Sequence, residues 1–300
     1  MRNLNSIPTS EKTNTFPVFL QLSRLFVYTL AVIFTVSASA ATKTTISSGN
    51  WTDASIWSPS GVPASTDNVS ISAQHSISIP SDVQVHHIVI NSGASLTIGS
   101  GKRITISGNL QILGTMNMNK GFITLTSPGL NFTIGNGGKF IWDPAANTEA
   151  EATLFTNGTE YFDQNSTLVI KNWFNYTIPL GQVVHGSFGN LEVNTPGGQS
   201  SIVEWNQQNY FETHRINGQL TIDMGWITLD KTGSISSTYI GSLLLKNVNS
   251  AFYAHNGTHP SAFNLTIGSV TNNGGTFYGL NDGNGNITVS VTGDLQIQVM

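Results

Sequence analysis

From about Val69 onward the chain alternates aliphatic and polar residues in short runs. Ile77-Ser78-Ile79, Ile88-Val89-Ile90, Leu96-Thr97-Ile98, Ile104-Thr105-Ile106, Leu110-Gln111-Ile112, Ile123-Thr124-Leu125 and Phe132-Thr133-Ile134 follow one another in this way. Each run places two apolar side chains on one face and the residue between them on the other, which is the period of a β-strand. Gly, Asn or Ser bounds each run, as turns with φ > 0 or side-chain-to-backbone bonds require. No window carries a helical period, and the nearest candidate, Ala145 to Leu154, has almost no apolar stripe. The runs recur at a steady interval: 22 from Ile88 to Leu110, 20 from Leu96 to Met116 and 19 from Ile104 to Ile123. Three short strands in each stretch of about 20 residues predict coils stacked about 4.8 Å apart around a continuous aliphatic core. The predicted fold is therefore all-β: a single-stranded right-handed parallel β-helix (a β-solenoid), elongated, with Leu110, Leu191, Leu220, Leu265 and Leu295 inside. The alternative, an array of β-sandwiches, would show antiparallel hairpins of longer strands, and few Asn-Gly turns join equal runs here.

A second level of repetition lies further on. Gly189-Asn190-Leu191-Glu192-Val193 recurs as Gly218-Gln219-Leu220-Thr221-Ile222, an offset of 29 (218 − 189). Phe263-Asn264-Leu265-Thr266-Ile267 stands in nearly the same relation to Gly293-Asp294-Leu295-Gln296-Ile297. The first members of the two pairs are offset by 74 (263 − 189) and the second members by 75 (293 − 218). Gly108-Asn109-Leu110-Gln111-Ile112 is a further copy. The shared content is a turn residue, a polar side chain able to bond along the stack, and two inward aliphatics. Between the patterned regions, Asp143 to Phe188 is richer in acids and aromatics and reads as coils with longer excursions. The strand pattern then runs to the last residue with no polar or helical cap, so downstream coils and end-to-end association of an uncovered edge are expected.

The N-terminus has a different character. Arg2, Lys12 and Arg24 precede an uncharged, mostly apolar run from Leu25 to Val36, and Ala38-Ser39-Ala40 follows with the A-x-A form of a signal-peptidase site. That run is short for a membrane span, which needs about 20 residues, so a cleaved signal peptide is expected rather than a retained anchor. Ala41 is the expected first mature residue. The resulting organisation is a signal peptide over 1–40, an N-terminal cap and first coils over 41–142, irregular coils over 143–188, and repeated coils over 189–300 with a duplicated unit of about 75 residues.

Composition narrows what such a chain can do. There is no cysteine, so an exported fold must rely on packing and backbone pairing alone. Charged residues are 9% of the chain, against about 25% in an average globular protein. Past residue 40 there are nine Lys+Arg (12 − 3) and fifteen Asp+Glu (16 − 1), a net charge of −6. So few cations neutralise few phosphates, which argues against nucleic acid as a partner.

The opening of the mature region carries a resemblance. Gly49-Asn50-Trp51, Trp57, Pro63, Asp67-Asn68-Val69-Ser70-Ile71 and a turn containing His75 resemble the start of large secreted bacterial surface proteins of Bacteroidetes type. Those proteins carry G8-like and pectin-lyase-like β-helix repeats. Phe155-Thr156-Asn157-Gly158 and Lys171-Asn172-Trp173 are similar to the same proteins. The resemblance implies secretion to the cell surface of a Gram-negative bacterium and a C-terminal sorting or anchoring domain, expected downstream of this sequence. A physical reading stands beside it: Trp51 and Trp57 form an apolar lid over the first coil.

Candidate chemistry is thin. Glycoside hydrolysis needs two carboxylates across the bond, and elimination needs a positioned base. Lys102-Arg103 splits across a strand, and the densest titratable group, Glu204, Glu212, His214, Arg215 and Asp223, matches no hydrolase or lyase signature. His86-His87 is expected to split across two faces, and His255 and His259 cannot share a helix beside Gly257 and Pro260. Asn281 to Asn286 has the rhythm of a Ca²⁺ loop with a single carboxylate, Asp282, and reads as a turn. Nine N-x-[ST] sequons are accounted for by the abundance of Asn, Ser and Thr. No catalytic residue, metal ligand or cofactor is assigned. The expected function is a non-catalytic surface scaffold, adhesin-type module or spacer. The second reading is a polysaccharide-binding or carbohydrate-active β-helix protein. Extracellular polysaccharide or cell-surface components are the expected partners, with the aromatics Trp173, Trp205, Tyr210 and Trp226 as candidate binding residues.

Overall fold

The computed structural model describes residues 40–126, 129–143, 158–171, 176–177, 187–195, 202–204, 214–228, 237–255, 263–280 and 287–297. These residues form a parallel β-solenoid. Asn68–Ile71, Ser76–Ile79 and Val83–Val85 belong to three different sheets, and His87–Ile90 returns to the first. Each strand therefore pairs with the equivalent strand of the next coil rather than with its neighbour in sequence. Among the described pairings only Thr42–Thr45 with Trp57–Ser58 is antiparallel.

The inward columns show how strongly the stacking selects residue type. On one side Ile77, Leu96, Met116, Phe140, Leu168, Leu191, Leu220, Leu243, Val270 and Leu295 follow one another in register. On another, Ile71, Ile90, Ile112, Ile134 and Phe162 do so. All but Leu295 are buried in one continuous core. Leu295 departs from expectation. It occupies the inward column yet is 58% exposed, because among the described residues no further coil stacks over it. Leu265 is buried as expected but in a different column, between Thr238 and Val289. The two pentapeptide pairs consequently do not occupy equivalent places, and the structural repeat is the single coil.

Stacking also starts earlier than Val69. Thr42–Thr45 lies in register beneath Asn68–Ile71, with Lys43 opposite Val69. Trp51 and Trp57 are fully buried here, edge to face at 5.1 Å, and the Trp57 indole donates to the Trp51 carbonyl at 2.9 Å. The 143–188 segment does not interrupt the stack where it is described. Gly158–Phe162 sits on Leu130–Ile134, and Thr167–Lys171 joins Lys139–Trp142 to Asn190–Asn194. The 145–154 stretch lies outside the described residues.

In the C-terminal half the separate strands of a coil merge. His214–Thr228 is one strand of 15 residues that pairs successively with Ser187–Phe188, Asn190–Asn194 and Ile202–Glu204. It turns the corner at a bulge, where the register with Ser237–Leu245 shifts between Ile216 and Gln219. Gly218, Gly241, Gly268 and Gly293 stand at that corner. A Cβ on Gly241 would run into Asn217 O and lie 2.6 Å from Gly218 O, and one on Gly268 would run into Gly241 O. These glycines are needed for space: each lets the next coil's backbone come within stacking distance. Polar side chains tie the coils beside them. Asn190 Oδ1 accepts from Gln219 N at 2.9 Å, and Asn109 Oδ1 accepts from Asn131 N at 3.0 Å, as the pentapeptide pattern predicts.

Gly268→Ala should therefore lower stability by about 1–3 kcal/mol, the usual cost of forcing an atom into a closed contact. Leu220→Ala should cost about 2–5 kcal/mol through the cavity it leaves. Urea unfolding followed by circular dichroism checks both. An unchanged midpoint for Gly268→Ala would mean that the coils separate freely at this corner.

Candidate functional site

The sheet made by the last third of the His214–Thr228 strand, Ser250–His255 and Thr276–Leu280 carries a row of aromatics beside a cleft. Its inward column is Ile227, Phe252 and Phe277, with the two phenyl rings 5.1 Å apart. Strand alternation then turns Trp226, Tyr253 and Tyr278 outward. Trp226 is opposite Ala251, and Tyr253 is opposite Tyr278. The rings form a row across three coils: Trp226 to Tyr253 at 5.1 Å, and Tyr253 to Tyr278 at 4.6 Å and nearly parallel, at 9°. Tyr253 is only 4% exposed although it points outward, and Tyr278 at the end of the row is 41% exposed. Burial, then the neighbouring Tyr278 phenol, pushes the Tyr253 hydroxyl above its ordinary value, so it stays protonated.

Local sequence builds the space beside this row. Gly225, with φ of 94°, turns the chain just before Trp226 and donates to Asn249 O at 3.0 Å. Asn247 Oδ1 accepts from Asn249 N at 2.9 Å, and Asn247 Nδ2 donates to Asp223 O at 2.6 Å. This turn sets Val248 and Asn249 at the rim. Small residues, Ser250 and Ala251, form the floor. The result is a cleft of about 210 Å³ lined by Trp226, Val248, Asn249, Ser250, Ala251, Thr276 and Tyr278. Among the described residues, no side chain that lines it is charged. Among the described residues, an ion pair is set back at the corner, where Lys246 meets Asp223 at 3.2 Å and Asn194 donates to the same carboxylate at 3.1 Å.

Of the aromatics selected from sequence, Trp226 thus lies in the cleft. Trp173, Trp205 and Tyr210 fall outside the described residues, as do Glu212, His259 and residues 281–286. Sequence reasoning missed Tyr253 and Tyr278. They belong to successive coils, and only the register reveals that they stack.

The titratable residues singled out in the sequence do not gather where they are described. Arg215 lies over the Tyr239 ring at 5.5 Å, a full side of the coil away from Asp223 along one strand. Arg103 lies over Phe122 at 4.6 Å and donates to Thr124 Oγ1 at 2.6 Å. The histidine pair corrects the expectation. His86 and His87 do not split across a strand, because His86 sits at the corner between two strands, and their rings lie 3.9 Å apart. His86 Nδ1 shares a hydrogen bond with Ser107 Oγ at 3.1 Å, and His87 Nδ1 accepts from Asn109 N at 2.6 Å. Among the described residues no three His, Asp or Glu side chains are grouped so as to hold a metal ion. Comparison with protein-family models, curated proteins and solved structures gave no match.

Burial, and then the adjacent His86, holds the His87 imidazole below its ordinary value. The unfolded chain then binds more protons than the folded one in that window, so stability rises with pH there. The contribution is present above the ordinary value of about 6.5 and is lost as pH falls through the lower folded value. Urea midpoints at pH about 7.5 and about 5 should differ more for the native chain than for His87→Asn, whose Oδ1 can accept the same Asn109 N–H. Equal differences would show that His87 carries none of the dependence.

Proposed function

We propose that this chain is an exported, non-catalytic β-solenoid of the bacterial cell surface that acts as an adhesin-type module, and that its adhesive contact is to a neutral glycan. The observation that carries the reading is the outward row Trp226–Tyr253–Tyr278 beside an uncharged cleft. The apolar face of a pyranose ring packs on an aromatic face, and its hydroxyls need neutral donors and acceptors at the edge. Trp226 and Tyr278 supply the faces, and Asn249 and Thr276 supply the polar rim. A volume of about 210 Å³ is below the roughly 300–1,000 Å³ of sites for drug-sized ligands, which suits one sugar ring of a longer chain rather than a whole oligosaccharide. The lack of charge at the lining favours neutral over acidic glycans. Export is supported by the charged start, the short apolar run and Ala38-Ser39-Ala40, and the surface location by the resemblance of residues 49–71 to secreted bacterial proteins.

Affinity electrophoresis against a panel of neutral and acidic polysaccharides tests this. Retardation by at least one neutral polysaccharide is expected, insensitive to salt between about 0.05 and 0.5 M because no ion pair is made. Trp226→Ala and Tyr278→Ala should each weaken binding by about tenfold, the order of one lost aromatic contact. Tyr161→Ala, at an exposed aromatic on a different sheet, should leave it unchanged. Binding confined to acidic polymers, or unaffected by Trp226→Ala, would sink the reading.

A further inference from the structure

The residue that leads into the first strand of the stack lies against a buried acid. Ala41 N donates to Asp67 Oδ1 at 3.0 Å, and Ala41 O accepts from Asn68 N at 2.8 Å. From Thr42 on, the chain is in register with Asn68–Ile71. The other carboxylate oxygen, Asp67 Oδ2, accepts from Ala64 N at 2.8 Å. Asp67 is 6% exposed, and among the described residues no cationic side chain pairs with it. Two neutral amides only partly offset the cost of removing a carboxylate from water; a positive charge in contact would offset far more. The atom best placed to carry that charge is the nitrogen of Ala41.

That nitrogen belongs to the residue immediately after Ala38-Ser39-Ala40, and Ala40 itself is exposed. We propose that export processing cuts the Ala40–Ala41 bond and that the α-ammonium so created closes a buried ion pair with Asp67. The inference rests on reading residues 1–40 as a cleaved leader. The chemistry is peptide hydrolysis by a signal peptidase. Water adds across the amide, Ala40 leaves with the new carboxylate, and the released amine of Ala41 takes up a proton. The folded unit then gains a charge where it holds an uncompensated one, and the cap strand Thr42–Thr45 is anchored by its own terminus. Maturation and the closing of the N-terminal end of the stack become one event.

The full chain is produced in a Gram-negative host that exports it, and the recovered protein is sequenced from its N-terminus. A start at Ala41 is expected. A second form carries Gly-Ser inserted between Ala40 and Ala41, so that the same cut leaves the ammonium two residues away. Urea unfolding should show a folding equilibrium constant about five- to tenfold lower for the insertion, the difference between a charge-assisted and a neutral hydrogen bond. In an Asp67→Asn background the insertion should make no difference. Equal stability of the two forms, or a difference that persists in Asp67→Asn, overturns the ion pair. Export with a start at another residue overturns it too, while the export reading stands; retention of residues 1–40 overturns both.

Discussion

Every feature of this molecule depends on one distance, the separation of about 4.8 Å between a backbone and the equivalent backbone one coil away. In a hairpin protein a strand is matched to its neighbour in sequence. Here each residue of a parallel pair is matched to one 19 to 30 residues on, and side-chain bonds between coils follow the same interval: Ser76 to Ser95, Asn109 to Asn131 and Asn190 to Gln219. Position within the coil therefore decides residue type. The inward columns are aliphatic or aromatic along nearly their whole length, and the core is continuous because each column is.

Corners are where that distance is hardest to keep. A side chain on the inner side of a bend would occupy the space of the coil below, so Gly218, Gly241 and Gly268 stand there, each against the carbonyl of the one before or a near neighbour. Where corners are built this way the strand need not break, which is why a strand of 15 residues can pair with three shorter ones in turn. The same economy of space sets the cleft. Gly225, Ser250 and Gly275 are small at one corner, and a Cβ on Gly275 would lie 2.7 Å from Ser250 Oγ. The chain can then project Trp226 and Tyr278 from either side of Ala251.

How much of this was legible in the sequence follows from what each signal depends on. The period of two and the recurrence once per coil are local and dense, so the parallel solenoid was readable. The side chains that bond along the stack at Asn109 and Asn190 were readable from their place after a turn glycine. Features that depend on register were not. Tyr253 and Tyr278 are ordinary outward residues until the coils are superposed, and Leu265 and Leu295 share a pentapeptide pattern yet fall in different columns. The histidine pair failed for a related reason, since strand alternation was applied across a corner, where it does not hold.

Stacking also accounts for the low charge of the chain. An outward position recurs one coil spacing away, so a charge at a repeated position faces its own kind directly, which destabilises a sheet. Ser, Thr and Asn avoid this and can bond to one another along the column, as Ser95 does to Ser76. The few charged members of these columns stand between uncharged neighbours: Lys139 between Thr115 and Thr167, Glu192 between Val169 and Thr221. An aromatic ring is the one large outward group that gains from repetition, because its neighbour at 4.6 Å is close to the separation of stacked rings. A fold under this constraint assembles a row of tyrosines more readily than a cluster of acids. Ring faces and neutral polar groups are thus the outward chemistry that repeats along such a stack without repulsion.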